Sequence, residues 1–285
     1  MADIYQEVTD RIVAALEQGK APWLKPWKDG KSGNASEPHN AITGRRYNGV
    51  NWLVLNCSPY TSQGWVTYKQ ALELGGNVKK GEKGTPIVFW QFNKAKDEAT
   101  GKVKNIPFAK GYTVFNLEQC ESLDPSKVKL PDPPVLGSTS INTLAASAGA
   151  TVTHGGDRAF YSPSRDFIAM PSADDFKSRD HYQSTLAHEL THWSGHETRC
   201  KRDFKNRFGD AAYAFEELVA EMGSAFICAL YGVALEGLQH SDYIASWLET
   251  LKGDKRAIFT AASKAKEAVA FITADRAQEE EATAA

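Results

Sequence analysis

The chain has 285 residues, 42% hydrophobic and 24% charged, with a formal net charge of -2. Those fractions are globular averages, which argues against wholesale disorder and repeat arrays, and no apolar run of about 18 residues offers a membrane span. Four cysteines (Cys57, Cys120, Cys200, Cys228) without a CxxC pair, and an acidic start unlike a secretory signal, predict reduced thiols and a cytoplasmic protein with no membrane partner.

In chain order, Ile4, Val8, Ile12, Val13 and Leu16 predict an amphipathic helix over 3–18, stopped at Gly19. A loop rich in Gly, Asn, Pro and Ser follows, and a second apolar element begins at Asn51–Leu55. Trp65–Leu74 reads as a short helix ended by Gly75-Gly76. Pro86–Phe92 and Phe108–Phe115 read as strands, with a charged loop over Asn93–Asn105 between them. Four prolines between Pro125 and Pro134 mark an extended linker over 125–138. The expected organisation is therefore a first domain over 1–124 and a second over 139–285. In the second, Ala159–Pro171 reads as a hairpin around Pro-Ser-Arg-Asp, and 140–150, 239–252 and 254–274 read as helices. The fold class is α+β, with two domains and a mainly helical second one.

Charge is unevenly spread. Residues 20–110 hold 15 Lys and Arg against 6 Asp and Glu, a net of +9, while the rest of the chain carries -11. Trp23, Trp27, Trp52, Trp65 and Trp90, five of the seven tryptophans, fall in the first ninety residues. Single-stranded nucleic acid needs cations along its backbone and flat faces on which bases stack, and interleaved basic and aromatic residues supply both. The candidate contacts are Lys25, Trp27, Lys28, Arg45, Arg46, Tyr47, Tyr68, Lys69, Lys79, Lys80 and Lys83. Two or three of the tryptophans are expected in the core, with Trp27, Tyr47 and Tyr68 exposed.

The second half carries H-E-x-x-H as His188-Glu189-Leu190-Thr191-His192, in a segment of good helix formers. Residues four apart share a helix face, so both imidazoles reach one ion, with Glu189 placed as general base toward a water acidified by that ion. Downstream, Tyr213–Glu221 opens an apolar helix reaching about Tyr231, and Glu217 and Glu221 share one of its faces. Glu217 is assigned as third ligand and Glu221 as the carboxylate orienting a ligand histidine, with the swapped assignment left open. His196 follows at the same spacing, but a continuous helix would hold it about 12 Å from His188. Thr198 stands where a metzincin has its third histidine, so His196 reads as a cap.

The segments Pro26-Trp27, Asn48-Gly49-Val50-Asn51, Trp65-Val66-Thr67-Tyr68-Lys69-Gln70 and Lys79-Lys80-Gly81-Glu82-Lys83-Gly84 resemble the N-terminal domain of ArdC antirestriction proteins, which also fronts plasmid TraC primases. Thr185–Trp193 and Glu216–Glu221 resemble the zincin-like metallopeptidase domain joined to it. The resemblance implies an antirestriction protein of a conjugative plasmid that binds single-stranded DNA. It implies a metallopeptidase fold with a gluzincin-like third-ligand motif; the histidine ligands themselves are read as holding zinc, with another divalent ion such as Mn2+ open and a protein as possible substrate. A glutamate, Glu221, stands where the family has its usual aspartate. The alternative reading is a non-catalytic single-stranded-DNA-binding protector with a structural metal.

Overall fold

The computed structural model describes residues 3–24, 37–96, 103–131, 140–202, 211–235 and 241–283. The chain forms two compact units, one of Met1–Ile12 with Glu37–Pro131, the other of Val13–Ser36 with Asp132–Ala285. Helix α1 (Ile4–Glu17) begins in the first unit and finishes in the second. Its Val8, Ile12 and Leu16, four apart, are all buried, and Gly19 (φ 69°) follows its end, as the spacing predicts.

The first unit continues with β1 (His39–Asn40), α2 (Val50–Asn56), β2 (Gly64–Val66), α3 (Tyr68–Glu73), β3 (Asn77–Val78), β4 (Thr85–Lys96), β5 (Val103–Asn116) and β6 (Cys120–Glu121). A four-stranded sheet runs β1-β2-β5-β4, and β3 pairs with β6. β1 and β2 are parallel, whereas β4 and β5 form a long antiparallel hairpin in register from Thr85↔Val114 to Lys96↔Val103.

Two expectations are corrected here. The segment from Trp65 is not one helix: Trp65 and Val66 pair with Asn116 and Phe115, and the helix starts only after Thr67. Thr67 accepts from the Gln70 amide while the Gln70 side chain accepts from the Thr67 amide, a capping box that fixes the boundary. Nor is Asn93–Asn105 all loop, because β4 reaches Lys96 and β5 starts at Val103. The two segments pair in antiparallel register from Lys94↔Asn105 to Lys96↔Val103. The Asn51 side chain also works as a strand would. It donates to the Val88 carbonyl and accepts from the Val88 amide, each at 2.8 Å, and so ties α2 to β4. Of the Pro-rich stretch, Pro125–Lys127 is a 3-10 turn, and the Lys129 amide bonds Ala41 within this unit. Residues 132–138 of the expected linker lie outside the described residues.

The second unit holds α4 (Ile141–Ser147), β7 (Val152–His154), β8 (Phe160–Ser162), β9 (Phe167–Met170), α5 (Arg179–Ser194), α6 (Ala211–Tyr231), α7 (Ser241–Gly253) and α8 (Ala257–Thr283). The expected hairpin is β8–β9, and β7 adds to it in parallel, in the order β7-β9-β8. Leu186, Leu190 and Trp193 of α5 pack with Ile227 of α6 and Ile272 of α8 in one buried cluster. Trp23, in a 3-10 turn after α1, is fully buried with its ring edge-on to Trp247 at 5.4 Å. The Trp247 indole donates to the Ala214 carbonyl at 2.9 Å. A residue from the basic, tryptophan-rich stretch therefore completes the core around α6. Among the described residues no helix is long and apolar enough to cross a membrane.

Candidate metal centre

Helix α5 starts where the Ser178 hydroxyl accepts from the His181 amide, and it stops at Gly195. It carries His188, Glu189 and His192, all buried. Helix α6 lies against it, with the Ser224 hydroxyl donating to the Ser184 carbonyl at 2.9 Å. The close approach depends on Gly223: a Cβ there would stand 2.4 Å from Cγ2 and 3.1 Å from Cβ of Thr191. Because Thr191 is β-branched and its hydroxyl is bonded to the Ala187 carbonyl, it has little room to yield.

This packing brings the two motifs together. His188, His192 and Glu217 offer ligand atoms that all lie within 4.8 Å of one another. The two Nε2 atoms are 3.1 Å apart, and the Glu217 carboxylate is 3.5 Å from each of them. Two neutral imidazoles and a carboxylate suit zinc and other first-row divalent ions, so the donor chemistry fits a metal.

Each imidazole is held from behind by another glutamate. His188 Nδ1 lies 3.3 Å from Glu221, and His192 Nδ1 lies 3.1 Å from Glu216. Sequence reasoning named Glu221 but missed Glu216 and its partner Arg202. The buried Arg202 guanidinium bonds both Glu216 oxygens, through Nε at 2.9 Å and Nη2 at 3.0 Å, and also the Ser194 hydroxyl and Thr191 carbonyl. The available signal was position: Glu216 precedes Glu217 and lies five residues before Glu221, so the helix turns it toward the neighbouring ligand. Nothing local in Lys201-Arg202 announces the arginine.

The charges shape one another. Burial raises the Glu217 carboxyl, but hydrogen bonding to His188 and the nearby imidazoles prevail and bring it down to about 2. Burial disfavours imidazolium at His188, yet its hydrogen bonds to Glu217 and Glu221 prevail and raise it well above its ordinary value. For Glu216, burial is again outweighed, by the bond to His192 and the Arg202 charge, and its pKa is lowered. Tyr213, one turn before Glu217, hydrogen-bonds it.

His196 lies past the end of α5, its Nδ1 2.9 Å from the Thr198 hydroxyl, and it is not part of the cluster. Arg199 locks the β8–β9 hairpin to the end of α5, reaching Asp166, Tyr161 and the Trp193 carbonyl. Trp52 and Trp65 in the first unit and Trp23 in the second are the buried tryptophans of the basic stretch among the described residues. Tyr68 is 55% exposed, as expected, with Arg45, Lys69, Lys79, Lys80 and Lys83 also exposed. Tyr47, expected at the surface, is half-buried because its hydroxyl bonds Asn40. Arg46 pairs with buried Glu37 at 2.5 Å. Lys25, Trp27 and Lys28 lie outside the described residues.

Two histidines and a glutamate converging from a helix pair define the second unit as a zincin-like metallopeptidase domain, and that family model matches residues 139–264. The model for the N-terminal domain of anti-restriction factor ArdC matches residues 2–115. The metal-free structure of the antirestriction protein ArdC from plasmid R388 is 41% identical, with a TM-score of 0.78, covering 97% of this chain and 98% of that one. Its Mn(II)-bound form gives 40% identity and a TM-score of 0.75, covering 95% and 97%. The chain belongs to the ArdC antirestriction family. Protein y4eC of Sinorhizobium fredii is 38% identical over 96% of this chain and 92% of its own length. DNA primase TraC of Escherichia coli is 37% identical over 95% of this chain, which spans only 20% of that primase.

Proposed function

We propose that this protein protects incoming plasmid DNA from restriction, with the first unit binding single-stranded DNA and the second acting as a zinc-dependent peptidase in the cytoplasm. The reading is supported most by one observation, the convergence of the His188, His192 and Glu217 ligand atoms within 4.8 Å. His188, His192 and Glu217 would hold the ion, zinc or, as the Mn(II)-bound R388 relative suggests, manganese. A bound ion would acidify a water toward neutrality and polarise a carbonyl.

The chain's own residues do the rest. Glu221 and Glu216 keep the imidazoles in the tautomer whose Nε2 faces the cluster, and Arg202 keeps Glu216 ionised. Glu189, beside His188 on α5, takes the proton of the attacking water and returns it to the leaving amine. The edge strand β8 gives an extended protein substrate a backbone ladder to join.

The test is Glu189→Gln. Metal content should match the wild type, while hydrolysis of a quenched fluorescent casein disappears and conjugating DNA loses its protection against restriction. Loss of the metal would show that Glu189 is a ligand. Full protection by the variant would leave DNA binding alone as the protective act, with the metal structural.

A further inference from the structure

The outer part of the β4–β5 hairpin carries an exposed aromatic pair that the sequence did not single out. Phe89 is 46% exposed and Tyr112 37%, although large aromatics are usually well covered. Phe89 pairs directly with Lys110, and Ile87 with Tyr112, so Phe89, Lys110 and Tyr112 stand on one face of the ribbon. The rings meet edge to face at 5.4 Å, and Lys110 Nζ lies 5.3 Å from the Tyr112 ring centroid. On the opposite face Gly111 packs close to Ile4 of α1, where an added Cβ would come within 3.1 Å of the Ile4 side chain. Ile87 on the same face as Phe89 is buried, and beside it the ribbon presents two exposed rings and a cation.

We infer that Phe89, Tyr112 and Lys110 form a nucleobase-stacking subsite for single-stranded DNA, which takes a base on the exposed aromatic surface and the adjoining phosphate on Lys110. This rests on the proposal that the first unit binds single-stranded DNA and names where a base is held. Charge complementarity selects the occupant. Phe89 and Lys110 fall in the stretch with a net of +9, and a cation beside exposed aromatic rings is the combination a base and its phosphate require. Two strands also hold both rings in place before the ligand arrives, so little side-chain freedom is lost on binding.

The experiment follows anisotropy of a labelled oligothymidylate with the full-length protein over a range of salt concentrations. Phe89→Ala and Tyr112→Ala should each weaken binding by between about five- and a hundredfold without changing the salt slope, since stacking releases no counterions. Lys110→Gln should reduce the slope by about 0.7, the contribution of one phosphate contact. Phe89→Trp, which keeps a flat face, should bind like the wild type. To guard against misfolded variants, the wild type is photo-crosslinked to an oligonucleotide bearing 5-iodouracil, with adducts expected at Phe89 or Tyr112. If the wild type binds while both alanine variants match it, or crosslinks form only elsewhere, the subsite is wrong and DNA binding stands. If the wild type does not bind at all, the DNA-binding proposal falls and takes the subsite with it.

Discussion

Both units bury polar side chains, but in different proportions. In the first most are neutral, such as Asn51 on the backbone of Val88, and Asn116 and Gln119 capping a 3-10 turn, and buried Glu37 is paired with Arg46. In the second, beside neutral groups such as Gln183 and Ser224, they include a dense ionisable set: His188, Glu189, His192, Arg202, Glu216, Glu217 and Glu221. A buried amide with its partners satisfied adds roughly 1 kcal/mol per hydrogen bond and asks for nothing further. A cluster of buried carboxylates is a different matter, because each charge stripped of water needs a compensating one. Arg202 brings a single positive charge against Glu216, Glu217 and Glu221, and Glu221 has no exposed surface at all. The convergence of several ionisable groups in one buried place, more than the number of buried polar groups, separates site from scaffold.

The sharpest way to break this contrast is to delete ligands. Glu217→Ala should abolish divalent-metal uptake, measured by elemental analysis after dialysis. Glu221→Ala should keep the ligand set and lose only about 10- to 100-fold in affinity, because its work is to orient His188. The opposite pattern would swap the two roles. Next in size, Arg202→Met strands Glu216 inside the protein and should cost about 3–5 kcal/mol in denaturant unfolding, as broken buried pairs do. Asn51→Ala, in the other unit, leaves the Val88 amide and carbonyl without the side chain that satisfies them and should cost about 1–3 kcal/mol. It should leave metal affinity unchanged, and a metal defect in that variant would mean that the neutral and charged networks are not separate.

The two regions also differed in how far the sequence revealed them. The HExxH spacing and the helix carrying Glu217 and Glu221 are periodic features, and helical periodicity alone predicts which side chains share a face. What periodicity cannot give is the distance between helices. That depends on Gly223 meeting Thr191, a contact between residues 32 apart. Arg202 was invisible for the same reason, since it reaches Glu216 from beyond the end of α5. In the first unit, Thr67 marked a boundary that the apolar count over Trp65–Leu74 hid, because a cap is a hydrogen-bond signal and not a hydrophobic one. The charged hairpin looked like a loop because Asn93–Lys96 and Val103–Ile106 carry no clean period-2 pattern, and only the backbone pairing shows them to be strands. The membership of Trp23 in the second unit was not legible at all, since nothing local distinguishes a tryptophan that packs nearby from one that packs on a distant helix.

The smallest effect, and the one that tests the electrostatics directly, concerns pH. In the metal-free protein the pKa of His188 is raised, so its contribution to stability is complete below its ordinary 6.5 and disappears as pH climbs through the raised value. Glu217 is lowered from 4.5 to about 2, so its contribution is present above 4.5 and disappears as pH falls toward 2. The pair therefore supports the metal-free fold most fully between 4.5 and 6.5. A metal competes with the His188 proton, because Nε2 must offer its lone pair. Below the raised His188 value, affinity should accordingly increase tenfold per pH unit, about 1.4 kcal/mol each. Calorimetric titration in buffers of different ionisation enthalpy should find one proton released per metal bound near neutrality. Affinity that ignores pH, with no proton released, would mean that His188 is already neutral and that the carboxylates around it do not hold a positive charge awaiting exchange.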